Sequence, residues 1–207
     1  MSYTWLGMLQ TLFPALLIIK LTYKYNAVTG SSSGFGRAIT GAALRKGDQV
    51  IATLRRPSDL DDLVASTPSS QLLVLQCDVS SESDIQNAFA QGISQFGTID
   101  IVFNNAGFAI LGEAESTPND VAGRMFDVNF WGAANVSREA VRVFREINGS
   151  NKGGWLFNVS SAAGVLGFSA CSDYCARYVL SCCLLTSFSR IYQFFCFFSS
   201  ANLVRFN

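Results

Sequence analysis

The stretch Thr29-Gly30-Ser31-Ser32-Ser33-Gly34-Phe35-Gly36 restricts the fold of this 207-residue chain more than any other. It follows a short apolar run, Ala27-Val28-Thr29. It precedes Arg37 to Lys46, a helical stretch closed by Gly47 at the position just past the helix end. Strand, Gly-rich turn and helix in that order make a phosphate-binding arrangement, because the first helical turn has N–H groups without intrahelical acceptors and the positive end of the dipole. Gly30 permits the tight turn, Gly34 lets backbone approach a pyrophosphate, and Gly36 lets the helix pack on the strand. Ser32, Ser33 and Phe35 fill out the candidate contact loop. Ser/Gly-rich loops also occur as plain connections, so the rest of the chain has to agree.

From residue 27 to about 160, strand and helix patterns alternate. Gln49 to Leu54, Leu72 to Gln76, Ile99 to Phe103 and Trp155 to Val159 read as strands. A short helix is expected at Asp59–Leu63, and another over Ser81 to Phe96, with Ile85, Phe89 and Ile93 at helical spacing. Asn119 to about Ile147 holds one long helix. Repeated strand–helix units require crossovers and hence a parallel sheet. A fully apolar run such as Leu72-Leu73-Val74-Leu75 fits a sheet buried on both faces. The expected class is α/β, a doubly wound parallel sheet.

Composition narrows the chemistry. The formal net charge is zero, which favours neither nucleic acid nor an anionic membrane surface as a partner. Histidine is absent, so acid–base work falls to Tyr, Asp, Glu, Lys or Cys. Five of the six cysteines lie beyond residue 170 and do not frame the domain, so they read as free thiols of a reducing, cytoplasmic compartment, with no metal site. Trp5 to Ile19 is nearly apolar but shorter than the roughly 20 residues of a spanning helix. A weak membrane contact through residues 5–21 is the alternative.

Cofactor choice is read after the second strand. An NAD site wants a carboxylate there for the ribose 2′-hydroxyl, whereas this chain has Leu54-Arg55-Arg56. A guanidinium at Arg55 matches a 2′-phosphate, which favours NADP(H) over NAD(H); the other reading is a solvated arginine pair. Cys77-Asp78-Val79 follows the third strand and Asn104-Asn105-Ala106-Gly107 the fourth. With the spacing Gly-x-x-x-Gly-x-Gly at Gly30–Gly36, these motifs resemble the short-chain dehydrogenase/reductase family, a Rossmann-type fold. The resemblance implies that Asp78 and Val79 lie by the adenine and that Asn105, Ala106 and Gly107 pass close to the cofactor.

The resemblance extends to Asn158-Val159-Ser160-Ser161-Ala162-Ala163-Gly164. Ser161 stands thirteen residues before Tyr174, the family's spacing between its catalytic serine and tyrosine. It implies hydride transfer between the nicotinamide cofactor and a small carbonyl or alcohol substrate. Tyr174 would move the proton, Ser161 would bind the substrate oxygen, and Asn129 in Asp127-Val128-Asn129-Phe130 would support a proton relay. Ser161 as a turn cap and Asn129 as a backbone clamp are the structural alternatives. The family's lysine, four residues after the tyrosine, is here Tyr178. An ordinary tyrosine has a pKa of about 10, so only about one in a thousand is ionised at neutral pH without a cation beside it. Arg177 is charged, but one residue off that position it is expected on another helix face. Impaired activity follows from this reading.

The expected organisation is an apolar segment 1–26, a dinucleotide-binding domain 27–176, and an apolar tail 177–207 without family pattern, leaving the sheet incomplete on its C-terminal side. Codons for Gly7-Met8 and Ala27-Val28, and for Arg177-Tyr178-Val179, can carry splice signals. Residues about 7–27 and about 177–207 therefore read as translated introns, with true divergence as the alternative. The family is commonly homo-oligomeric, through surfaces that this tail would compromise. Two other functions stay open: a catalytically inactive dinucleotide-binding fragment, and a membrane-associated protein that is not an enzyme.

Overall fold

The computed structural model describes residues 24–149, 152–186 and 201–206. Five strands alternate with helices: β1 (Tyr25–Thr29), α1 (Gly34–Arg45), β2 (Gln49–Leu54), α2 (Asp61–Ser66), β3 (Leu72–Gln76), α3 (Glu82–Phe96), β4 (Ile101–Asn104), and β5 (Gly154–Val159) after a long helix. That helix comprises α4 (Asn119–Phe126), a π-helical turn Asp127–Gly132, α5 (Ala133–Arg142) and a second π turn, Val143–Ile147. Helix α6 (Ser172–Thr186) and strand β6 (Ala201–Phe206) follow.

The strand order is β3-β2-β1-β4-β5-β6. β1 to β5 are mutually parallel, and β6 runs antiparallel on β5. The chain winds outward from β1 through β2 to β3, then returns to β1's other side with β4. A crevice therefore opens beyond the carboxyl ends of β1 and β4, where ligands of open α/β sheets bind.

Each sheet face carries its own core, since successive residues of a strand point to opposite sides. Ala27, Ile51, Val102 and Leu156 point to the face covered by α3, α5 and the second π turn through Ile85, Phe89, Val136 and Phe144. Val28, Val50, Ala52, Phe103 and Phe157 point to the face covered by α1 through Ile39 and Ala43. On that side Phe103 and Phe157 stack at 4.6 Å. Helix α3 is bounded by local chemistry. The Ser81 hydroxyl accepts from the Asp84 N–H at 3.3 Å, and Gly97, at φ 81°, ends the helix with its N–H on Ile93 O at 2.7 Å.

The sheet matches the expected α/β class, and β2 and β3 fall where the sequence sets them. Other boundaries differ. β1 begins at Tyr25 rather than Ala27 and runs unbroken into the glycine loop, in register with Gln49–Thr53. β4 begins at Ile101 rather than Ile99; Asp100, just before it, offers its carboxylate to Lys24 N–H at 3.0 Å and to the Lys152 ammonium at 2.8 Å. α1 begins at Gly34, so the last glycines of the loop form its first turn. The largest difference is α6, which extends to Thr186 through the stretch expected to lose its pattern. It contains neither Pro nor Gly. Its polarity is inverted: Arg177 and Ser181 are buried while Val179 and Leu180 are exposed, which hides the period from a hydropathy reading. Among the described residues no helix is long and apolar enough to cross a membrane. Residues 5–21 lie outside them.

Candidate functional site

The crevice is built around one threonine. Thr29 ends β1 and is buried; its Oγ1 accepts the N–H groups of Asn105 at 2.9 Å and Ala106 at 3.0 Å. Asn105 answers by donating Nδ2 to Thr29 O at 3.0 Å. The loops after β1 and β4 are thereby pinned together at the switch point. Their backbones touch: a Cβ on Gly30 would stand 2.9 Å from Ala106 Cα, and one on Gly36 would stand 2.2 Å from Gly30 O. Neither position admits a side chain. Gly34 contrasts with them, at φ +54° with nothing within 4 Å of where its Cβ would be. Ser31 has no part on the open side. It is fully buried, with Oγ on Val28 O at 2.9 Å and N–H on Thr53 O at 3.1 Å. Ser33 is exposed and its side chain makes no cap bond to α1.

Around this centre stand the other predicted residues. Arg55 is exposed just past the end of β2 and, among the described residues, makes no ion pair. Its neighbours are committed: Arg56 pairs with Asp59 at 3.5 Å, and Arg37 bridges from α1 to Asp59 O at 2.8 Å and to the Asp62 carboxylate. Asp78 is held by its own turn, with Oδ1 accepting from Ser80 N–H at 2.9 Å and Oγ at 2.7 Å. Val79 is buried against the long helix, where a Cβ on Gly132 would meet its carbonyl oxygen at 2.9 Å. Beside them, burial, reinforced by Asp84 and Asp78, pushes the Cys77 thiol up to about 12.

Asn129 lies in the first π turn, 4% exposed, and faces the loop after β4. It clamps that loop with both ends of its amide, accepting from Phe108 N–H at 3.0 Å and donating to Phe108 O at 2.6 Å. Ser161 starts a short turn, Ala162–Gly164, with Oγ accepting from Ala163 N–H at 3.3 Å. Helix α6 packs on that turn, which brings the Ser161 segment and the Tyr174 helix together at the carboxyl end of β5. A bridge between Gly112 and Cys171 ties the β4 loop to the start of α6.

The position of Arg177 corrects the sequence expectation. It lies beside Tyr174, as residues three apart on a helix do. Its guanidinium carbon is 4.2 Å from the Tyr174 ring centroid and 3.6 Å from that of Tyr178, and the two rings meet edge-on at 5.0 Å. Burial pulls the Arg177 pKa down, against the opposing effect of the two tyrosines. Burial also pushes the Tyr178 phenol up to about 12, with Arg177 opposing. Sequence reasoning missed this cluster, Thr29, and the buried network in which Asn104 Nδ2 donates to Asn158 Oδ1 at 2.7 Å and Ser137 Oγ to the same oxygen at 3.1 Å. A Thr directly before the first glycine is the signal that could have pointed to Thr29.

The sequence profile of the short chain dehydrogenases matches residues 24–177, about three-quarters of the chain. The chain belongs to the short-chain dehydrogenase family. An uncharacterized oxidoreductase of Schizosaccharomyces pombe is 38% identical over 146 residues, covering 70% of this chain and 47% of the relative. The oxidoreductase calM of Penicillium decumbens is 38% identical over 151 residues, covering 71% and 49%. The chain thus spans about half the length of these curated relatives. Among solved structures, a short-chain dehydrogenase from Streptomyces avermitilis superposes with a TM-score of 0.72 at 35% identity, over 80% of this chain and 59% of that one. The 3-ketoacyl-(acyl-carrier-protein) reductase of Brucella melitensis, crystallised with NADH, has a TM-score of 0.74 at 23% identity, over 80% and 68%, and shares the fold. The family binds NAD or NADP and acts on small molecules.

Proposed function

We propose that this chain is the dinucleotide-binding and proton-transfer half of an NADP(H)-dependent oxidoreductase acting on a small carbonyl or alcohol. The carrying observation is the closed contact of Gly30, Gly36 and Ala106 beside the open face at Gly34. Packing of that kind presses the loop against the strand and leaves backbone and the first turn of α1 to meet a pyrophosphate. The bound nicotinamide would supply or accept the hydride. Gly30, Ser32, Ser33, Gly34, Phe35 and Gly36 would hold the phosphates. Asp78, Val79, Asn105, Ala106 and Gly107 would line the cofactor's path. The uncommitted Arg55 guanidinium would meet a 2′-phosphate. Tyr174 would pass the proton, Ser161 would bind the substrate oxygen, and Asn129 would hold the β4 loop in place for both. The absence of lysine at 178 lowers the expected turnover. Free thiols at Cys77, Cys171 and Cys175 fit a cytoplasmic setting.

Binding of NADPH and NADH by calorimetry tests the reading. NADPH should bind more tightly, and Arg55→Asp should reverse the order. A charge-assisted bond of about 1.5–3 kcal/mol corresponds to a loss of roughly 10–100-fold for NADPH. Equal binding of both dinucleotides, unchanged by Arg55→Asp, would sink the NADP(H) assignment. Tight binding without NADPH oxidation across a carbonyl panel would favour the second reading, an inactive dinucleotide-binding fragment, for which the substitution at 178 is the supporting observation.

A further inference from the structure

Every acidic side chain of this protein lies within the described residues, since residues 1–23, 150–151, 187–200 and 207 contain no Asp or Glu. None of these carboxylates pairs with Arg177. Arg177 is nevertheless 1% exposed, and its Nε and Nη2 have no hydrogen-bond partner among the described residues. A buried, unpaired guanidinium is destabilising, and a fold retaining one has a positive charge with nothing fixed to balance it. The polar groups stacked on it are the phenols of Tyr174 and Tyr178.

The elements packed on α6 are the turn after Ser161, α4, the first π turn and α5. The turn is uncharged. The charged residues of the other three are Asp120, Arg124, Asp127, Arg138, Glu139 and Arg142, and the β4 loop bridged to the start of α6 at Gly112 adds Glu113 and Glu115. Asp120 pairs with Arg124, Glu139 with Arg142, Arg138 bonds Asn135, and Asp127 is exposed. On α6 itself Asp173 precedes the cluster and Cys175 lies between Tyr174 and Arg177. None of them forms an ion pair with the guanidinium.

We infer that Arg177 is a positioning residue for Tyr174. It stacks on the ring and balances the negative charge on the phenol oxygen whenever that oxygen has given up its proton, the office that lysine holds elsewhere in the family. The proton passes from the Tyr174 oxygen to the substrate oxygen in reduction and returns in oxidation; Arg177 exchanges none. The inference rests on the proposed role of Tyr174, but its test needs neither cofactor nor turnover.

Tyrosinate absorbance of the full chain carrying Tyr178→Phe is titrated against pH with and without Tyr174→Phe, and the difference isolates the Tyr174 oxygen from the neighbouring phenol. The same difference is taken in the background of Arg177→Met and of Arg177→Lys. In the methionine background the oxyanion should need a proton concentration lower by on the order of tenfold. In the lysine background most of the wild-type behaviour should remain. Arg177→Met should melt no lower than wild type, because it removes an unbalanced buried charge. A purely structural role predicts the opposite pair: a lower melting temperature and an unmoved titration, which overturns the inference. Should Arg177→Met fail to fold, Arg177→Lys decides, since a lysine that folds without restoring the titration also overturns it. Normal titration with no NADPH binding would instead sink the proposed function and leave this inference standing.

Discussion

At the residue scale, the glycine loop separates two demands that one residue type meets for different reasons. Gly36 is needed for space, since a Cβ there would overlap the Gly30 carbonyl at 2.2 Å and the Asn105 amide nitrogen at 2.7 Å. Gly34 is needed for conformation, since its φ of +54° strains any L side chain although the space is empty. Gly36→Ala should therefore lower stability by about 3 kcal/mol, at the upper end of overpacking costs. Gly34→Ala should lower it by about 1–2 kcal/mol. Both should lose dinucleotide affinity, Gly34→Ala out of proportion to its stability cost. Chemical denaturation paired with NADPH titration checks this, and equal stability losses would contradict the distinction. Thr29 and Arg177 show what single residues conceal. A threonine before a glycine and an arginine beside an expected lysine are ordinary letters until the fold places an oxygen between two N–H groups and a cation between two rings.

At the element scale, legibility follows burial. β2 and β3 were readable to the residue because an apolar run between polar turns has few other destinations in a sheet covered on both faces. β1 was harder, because Tyr25 and Asn26 lengthen it beyond its apolar part. Asn26 is 2% exposed, a polar group inside a strand. The long helix was legible as a length but not as two α segments joined by one π turn and ended by another; the joining turn packs on Val79 and clamps the β4 loop through Asn129. Helix α6 was illegible because its exposed side is greasy and its buried side holds Arg177 and Ser181. Replacing Val179 and Leu180 together with Lys and Gln should therefore change stability by no more than about 0.5 kcal/mol, as surface changes do. A drop in melting temperature of the size seen for core substitutions would show that this side is covered.

On the scale of the whole molecule, two groups held in their neutral forms by their surroundings make stability fall in alkali. Cys77 is raised from 9.0 to about 12 by burial and by Asp84 and Asp78, and Tyr178 from 10.0 to about 12, chiefly by burial. Both folded values lie above the ordinary ones. Their contribution to stability is therefore complete below about pH 9 and is lost as pH rises toward 12. Denaturation midpoints should fall across that window, and Cys77→Ala should flatten the fall while lowering stability at neutral pH through the cavity it leaves. A flat profile from pH 9 to 12 would contradict the burial of both groups. The family fold itself was legible from loop spacing. The pairing of Ser161 with Tyr174 was legible too, from their thirteen-residue spacing; the stacking of Arg177 between two rings was not, because only the packing of α6 decides which of its side chains are buried.

The Thr29 oxygen has a kinetic consequence. Because one atom accepts both N–H groups of the β4 loop, those two bonds are coupled and are made or lost together. Turning the hydroxyl away frees both N–H groups together but leaves the Asn105 amide on Thr29 O, so the two loops stay hinged at Asn105 while the backbone at Ala106 is released.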